Sequence, residues 1–140
     1  MKNVLIAEDN AVNRELLREL LEARGYSVDE ACNGKEALEK IAQSRPDMLL
    51  LDLSMPVMDG FATLRKIRED SAIASLPVLA VTAYAMRGDQ EKAMAAGFDG
   101  YLSKPINSSA LDAALERLAK IRDAVGNPLE KAAKAAQFRH

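Results

Sequence analysis

Five positions spread over most of the chain carry the side chains best suited to chemistry: Glu8, Asp9, Asp52, Thr82 and Lys104. Each stands where a short apolar run stops. Val4-Leu5-Ile6-Ala7 precedes Glu8-Asp9, and Met48-Leu49-Leu50-Leu51 precedes Asp52. Val78-Leu79-Ala80-Val81 precedes Thr82, and Gly100-Tyr101-Leu102 comes just before Lys104-Pro105. Singly, each residue has an ordinary explanation: Asp52 as a loop residue or helix N-cap, Glu8 and Asp9 as partners of a helix dipole, Thr82 as a cap, Lys104 as a solvated charge. If the runs are strands of one parallel sheet, the five groups meet at its carboxyl edge, where open α/β sheets bind ligands. Three clustered carboxylates repel, and at least one has its pKa raised unless a counter-charge intervenes. An all-oxygen donor set selects a hard cation such as Mg²⁺, which keeps several waters and takes one or two protein carboxylates. Asp9 and Asp52 are the expected direct ligands, with Glu8 acting through water. An aspartate beside Mg²⁺ can attack a phosphoryl group to give an acyl phosphate. Lys104 would neutralise the equatorial oxygens during that transfer, and Thr82 would donate its hydroxyl to the attached group.

The elements that must position these groups are read from length, composition and period. One hundred and forty residues suit one domain, able to bury roughly two-thirds of its unfolded surface. The chain is 49% apolar and 29% charged, with a net charge of −2. No long-range field draws it to nucleic acid or an anionic membrane. The single cysteine, Cys32, excludes an internal disulfide framework and a Cys-rich zinc site, and is expected to be a small buried hydrophobe. The sole histidine, His140, is the last residue, which argues against a Ser-His-Asp triad or a His-rich metal centre. Glu8 and Asp9 interrupt the first apolar run too early for a signal peptide, and no run approaches the ~20 residues of a membrane helix. The cytoplasm is the expected compartment.

The apolar period alternates between strand and helix. The short run Val4–Ala7 suits a strand buried on both faces. A helix then carries Leu16, Leu17, Leu20 and Leu21 on one face, stopped by Gly25. Ser27–Ala31 reads as a weaker strand. Asn33-Gly34 opens a helix that turns Ala37, Leu38 and Ile41 inward and ends before Pro46. After the strand Met48–Leu51, Phe61, Leu64 and Ile67 mark a third helix. Val78–Val81 is the fourth strand, followed by a weakly patterned helix from Ala85 to Ala96, stopped by Gly97. Gly100–Leu102 is the fifth strand. Ser109 with Asp112 resembles a capping box, and Leu111, Leu115 and Leu118 give the last helix its buried face. Five strand–helix units in strict alternation predict a parallel sheet with helices on both faces. Beyond Gly126-Asn127-Pro128 the chain becomes Ala/Lys-rich, and the tail, His140 included, is expected to lie outside the core and carry no chemistry.

The sequence resembles the response-regulator receiver domain of bacterial two-component signalling over about residues 1–122. The resemblance rests on Val4-Leu5-Ile6-Ala7-Glu8-Asp9-Asn10, on Leu50-Leu51-Asp52-Leu53-Ser54-Met55-Pro56-Val57-Met58-Asp59-Gly60, on Val81-Thr82-Ala83 and on Tyr101-Leu102-Ser103-Lys104-Pro105. It implies an α/β, flavodoxin-like (βα)5 three-layer sandwich with parallel strand order 2-1-3-4-5. It also implies a receiver domain over 1–125 with a tail at 126–140 and no output domain. Asp52 is then the phospho-acceptor. Glu8, Asp9, Asp52 and the backbone carbonyl of Ser54 hold Mg²⁺. Thr82 and Lys104 sense the phosphoryl group, and Tyr101 is the aromatic switch that turns inward when Thr82 moves. The Lys104–Pro105 bond is expected to be cis. Ser54 and Tyr84, two positions past Asp52 and Thr82, are expected to tune the lifetime of the acyl phosphate. The donor would be a histidine kinase or a histidine phosphotransfer protein.

A phosphoryl group brings roughly −1.5 to −2 charges and three strong acceptors. Recruiting Thr82 and Lys104 to it would shift the segment Ala83–Ala96, where Met86, Gly88 and Met94 suggest soft packing. The face formed by the fourth helix, fifth strand and fifth helix becomes the output surface for a protein effector, and a weak homodimer through it is left open. Tyr84 and Met86 would otherwise serve as partner contacts. The leading expectation is a single-domain response regulator in a phosphorelay, not an enzyme beyond forming and losing its own acyl phosphate. A receiver excised from a hybrid histidine kinase is the alternative. An aspartyl-phosphate phosphatase-like hydrolase is a third class, disfavoured because Leu53-Ser54 supplies no second aspartate two residues after Asp52. A receiver that binds partners without phosphorylation is disfavoured by the intact set of five.

Overall fold

A computed structural model describes residues 2–83 and 88–125, with side chains described to residue 121. Five strands alternate with five helices: β1 Asn3–Ala7, α1 Ala11–Glu22, β2 Ser27–Ala31, α2 Gly34–Gln43, β3 Met48–Asp52, α3 Gly60–Glu69, β4 Val78–Thr82, α4 Asp89–Ala96, β5 Gly100–Ser103 and α5 Ser108–Val125. The sheet is entirely parallel, in the order β2-β1-β3-β4-β5. This is the flavodoxin-like order expected from the resemblance.

The side-chain alternation of each strand divides the core in two. Leu5, Ala7, Leu49, Leu51, Val78 and Ala80 point to one face, against Ala37 and Ile41 of α2, Leu64 and Ile67 of α3, and Ala93 of α4. Val4, Ile6, Met48, Leu50, Leu79 and Val81 point to the other, against Leu17 and Leu21 of α1 and Leu111, Leu115 and Leu118 of α5. The central strands β1, β3 and β4 are covered on both faces, which is why their sequences are unbroken apolar runs. The edge strand β2 alternates between exposed and half-buried, and so admits Asp29 and Glu30.

The expected elements are all present, with local corrections. Leu16 is exposed, and α1 buries only Leu17 and Leu21 fully. Helix α1 ends at Glu22, and Gly25, with φ of 86°, shapes the turn into β2. Cys32 is exposed rather than buried, because it follows the last residue of the edge strand. The cap of α5 is Asn107, whose side chain accepts from the Ala110 N–H at 3.1 Å; Asp112 instead pairs with Arg24, and no Ser109 capping box forms. Arg68 at the end of α3 donates to the Leu76 carbonyl at 2.6 Å, to Gly97 at 2.9 Å and to Asp99 at 3.0 Å, tying α3, α4 and the start of β4 together. Helix α4 begins at Asp89. The expected start of that helix at Ala85, together with Tyr84 and Met86, and the 126–140 tail with His140 lie outside the described residues. Among the described residues no helix is long and apolar enough to cross a membrane.

Candidate functional site

The strand register explains why residues so distant in sequence meet. Ala7 pairs with Leu51, so the next residues, Glu8 and Asp52, leave their strands side by side. Asp52 in turn pairs with Val81, which places Thr82 one step beyond, and Thr82 pairs with Ser103, which delivers Lys104. Backbone bonds continue this ladder past the strand ends: Glu8 N–H to the Ala31 carbonyl at 3.0 Å, Leu53 N–H to Val81 at 3.0 Å, and Lys104 N–H to Thr82 at 2.8 Å. The Lys104–Pro105 bond is cis.

The expected carboxylates converge. One oxygen from each of Glu8, Asp9 and Asp52 lies within 4.8 Å of the others. Glu8 is only 1% exposed and Asp52 6%, whereas Asp9 faces solvent. The Lys104 ammonium donates to Glu8 Oε1 at 2.6 Å and to Asp52 Oδ2 at 3.1 Å. Asp52 Oδ1 accepts the Ser54 N–H at 2.9 Å. The remaining oxygen, Glu8 Oε2, is buried and has no hydrogen-bond partner among the described residues. A buried, unsatisfied carboxylate oxygen is costly, and a divalent cation between the three acids would satisfy it. The donors are all oxygens at an open edge, which fits Mg²⁺.

One ammonium serving two buried carboxylates leaves part of their repulsion uncompensated. Burial pushes the Glu8 carboxyl up, contact with Asp52 pushes the same way, and Lys104 pulls against both; the balance stands at about 7. Burial works against the charge on Lys104, but its bond to Glu8 and the nearby Asp52 outweigh it and raise the Lys104 pKa.

Thr82 is buried at the edge of a cavity of about 300 Å³ shared with Ser54, Met55, Phe61 and Lys92. The cavity abuts the carboxylate cluster through Ser54 and Thr82. The Lys92 ammonium sits 5.5 Å from the centre of the Phe61 ring, and Phe61 meets Phe98 edge to face. Tyr101 is half-buried against the core, and its hydroxyl is buried with no hydrogen-bond partner among the described residues. The loop carrying Ser54 is held close by Gly60: a Cβ there would lie 2.6 Å from the Asp52 carbonyl oxygen. Asp59 caps α3 by accepting the Ala62 N–H at 2.8 Å.

Arg14 was missed by sequence reasoning. Its guanidinium donates to the backbone carbonyls of both Glu8 and Asp9, at 2.9 and 3.4 Å. The available signal was an arginine one turn into the helix that follows an acidic pair, facing an acid, Glu30, on the neighbouring strand.

Comparison with known proteins gives a consistent family. A family model described as the response regulator receiver domain matches residues 4–116. The polar-differentiation response regulator DivK of Brucella anthropi is 42% identical over 106 residues, covering 76% of this chain and 86% of that protein. The chemotaxis protein CheY4 of Vibrio cholerae superposes with a TM-score of 0.77 at 33% identity, over 84% of this chain and 98% of that one. The receiver domain of the sensor histidine kinase PA1611 from Pseudomonas aeruginosa, with a magnesium ion coordinated in its active site cleft, superposes with a TM-score of 0.76 at 34% identity, over 84% and 96%.

Proposed function

The chain belongs to the response regulator receiver domain family, regulators of two-component signalling that work with histidine kinases, and from that premise we propose that Asp52 is its phospho-acceptor. The observation that carries this reading is the Lys104 ammonium bridging Glu8 and Asp52 inside a three-carboxylate cluster.

In the proposed transfer, an Asp52 carboxylate oxygen attacks the phosphorus of a phosphohistidine on the kinase or on a phosphotransfer protein. The P–O bond forms as the P–N bond breaks, and the leaving imidazole nitrogen takes a proton from solvent. Asp9, Asp52 and the Ser54 carbonyl would hold Mg²⁺ directly and Glu8 through water. The ion, when bound, neutralises charge building on the phosphoryl oxygens. Lys104 already lies 3.1 Å from Asp52 and keeps a positive charge for the same purpose. The Ser54 N–H, bonded to Asp52 Oδ1, orients the nucleophile. Attack of water on phosphorus later releases phosphate and restores the carboxylate. The protein is a regulator rather than a conventional enzyme, and this self-limited cycle is the only turnover proposed for it.

Thr82 then donates its hydroxyl to the phosphoryl group, and Tyr101 follows into the space it leaves. The half-buried ring of Tyr101, and a buried hydroxyl without a hydrogen-bond partner among the described residues, support a side chain with two positions. The face made by α4, β5 and α5 is the proposed surface for a downstream protein effector or a weak homodimer. The receiver unit is proposed to span 1–125, with 126–140 as a tail. The cytoplasm is the proposed compartment, since the donor's phosphate originates in ATP.

Incubating the protein with acetyl phosphate and Mg²⁺, then measuring intact mass, tests the assignment. Wild type is expected to gain one phosphoryl unit and Asp52→Asn none. An unchanged wild type, or an equal gain in the variant, rejects it.

A further inference from the structure

The acidic turn between β1 and α1 has its amide side and its carbonyl side held by different elements. The Glu8 N–H is fixed by the Ala31 carbonyl of β2. The carbonyls of Glu8 and Asp9 both point to a single guanidinium nitrogen, Arg14 Nη1, at 2.9 and 3.4 Å. Arg14 in turn is restrained from β2: its Nε lies 3.6 Å from Glu30 Oε1, and the other Glu30 oxygen is held by Arg18 at 3.1 Å. The Arg14 side chain is 19% exposed, so it is packed into place rather than free in solvent. Fixing the backbone on either side of a Cα sets the direction of its Cα–Cβ bond, and so limits the carboxylate to the few places that staggered rotamers reach from there. Outer partners of this kind aim ligands without touching the metal.

We infer that Arg14 is a positioning residue for the cation site: by bridging the Glu8 and Asp9 carbonyls, with Glu30 holding its guanidinium, it sets the direction of two of the three metal-binding carboxylates. The inference rests on the proposed Mg²⁺ site. The effect has a sign that separates it from simple electrostatics. Arg14 carries a positive charge close to the place where a cation would bind. If it acted only through space, removing it would tighten Mg²⁺ binding. If it positions the ligands, removing it weakens binding despite the more favourable field.

Calorimetric titration of Mg²⁺ into wild type, Arg14→Ala, Arg14→Lys and Glu30→Gln tests this, alongside thermal melting of the metal-free proteins. Acetyl phosphate serves as donor for a parallel rate measurement, so that no kinase contact on α1 enters. Arg14→Ala is expected to raise the Mg²⁺ Kd about tenfold. At saturating Mg²⁺ its phosphorylation rate is expected to approach that of wild type. Arg14→Lys keeps the charge but offers a single ammonium in place of the planar fork, so a smaller loss is expected, and a smaller one again for Glu30→Gln. A purely structural role would lower the metal-free melting temperature and leave the Kd of the folded protein unchanged. An unchanged or tighter Kd in Arg14→Ala, with wild type binding normally, overturns the inference and leaves the Asp52 assignment standing. Should Arg14→Ala not fold, an unchanged Kd in both Arg14→Lys and Glu30→Gln overturns it equally. A wild type that binds no Mg²⁺ overturns both.

Discussion

Glu8 is nearly sealed from solvent, with an ammonium on one oxygen and no hydrogen-bond partner for the other among the described residues, and its carboxyl stands at about 7 against an ordinary 4.5. The folded protein therefore holds the Glu8 proton more tightly than the unfolded chain does. Between pH 4.5 and about 7 the folded state binds more protons, so stability falls as pH rises through that window and levels off above it. In metal-free protein the loss is expected to reach at most about 3 kcal/mol. Chemical denaturation across pH 4.5–8 in the presence of a chelator measures it, and Glu8→Gln should flatten the slope. A slope unchanged in Glu8→Gln would assign the pH dependence to another group. At this scale, the convergence of the candidate site residues was legible in the sequence because each stood at the end of an apolar run, a marker that survives without coordinates. Arg14 was not, because its role lies in two backbone carbonyls that no residue type announces.

The β3–α3 connection is shaped by backbone constraints. Val57, with φ of 70°, is the only non-glycine residue with positive φ among the described residues, and its side chain is exposed. A β-branched residue in that conformation is strained and gains nothing here from burial. Val57→Gly is expected to stabilise the fold by on the order of 1 kcal/mol, whereas Gly60→Ala should cost about 1–3 kcal/mol because its Cβ would press on the Asp52 carbonyl. Urea denaturation of both variants decides the matter, and a destabilised Val57→Gly would contradict it. Element positions followed well from periodicity where helices or strands were strongly patterned, as in α2 and the central strands. They followed less well at chain features set by tertiary partners. Asn107 outcompetes Ser109 as the cap of α5 because Arg24 claims Asp112 and also bonds Ser108 at 2.6 Å. Leu16 faces out because the apolar stripe of α1 is narrower than the sequence suggests, Leu17 and Leu21 being its fully buried members.

Strict strand–helix alternation was enough to foresee a parallel sheet covered on both faces, since crossovers between parallel strands have one favoured hand. The order of the strands came from family resemblance rather than from the residues, because pairing of buried apolar runs is nearly degenerate in sequence. An ion held at the proposed site would be coupled to the whole fold: a ligand that binds only the folded chain adds about 2.7 kcal/mol at a hundredfold excess over its Kd. Melting with Mg²⁺ should therefore exceed melting with chelator by on the order of 10 °C. Asp9→Asn should lose most of that difference, and an undiminished shift would move the ion elsewhere. Finally, the exposed Cys32 is the one cysteine in a chain without tryptophan. It directly follows Ala31, whose carbonyl anchors Glu8. A thiol-directed fluorophore would thus label the native sequence at a single point, one residue from the anchor of the acidic turn, with no engineered handle and no competing intrinsic tryptophan emission.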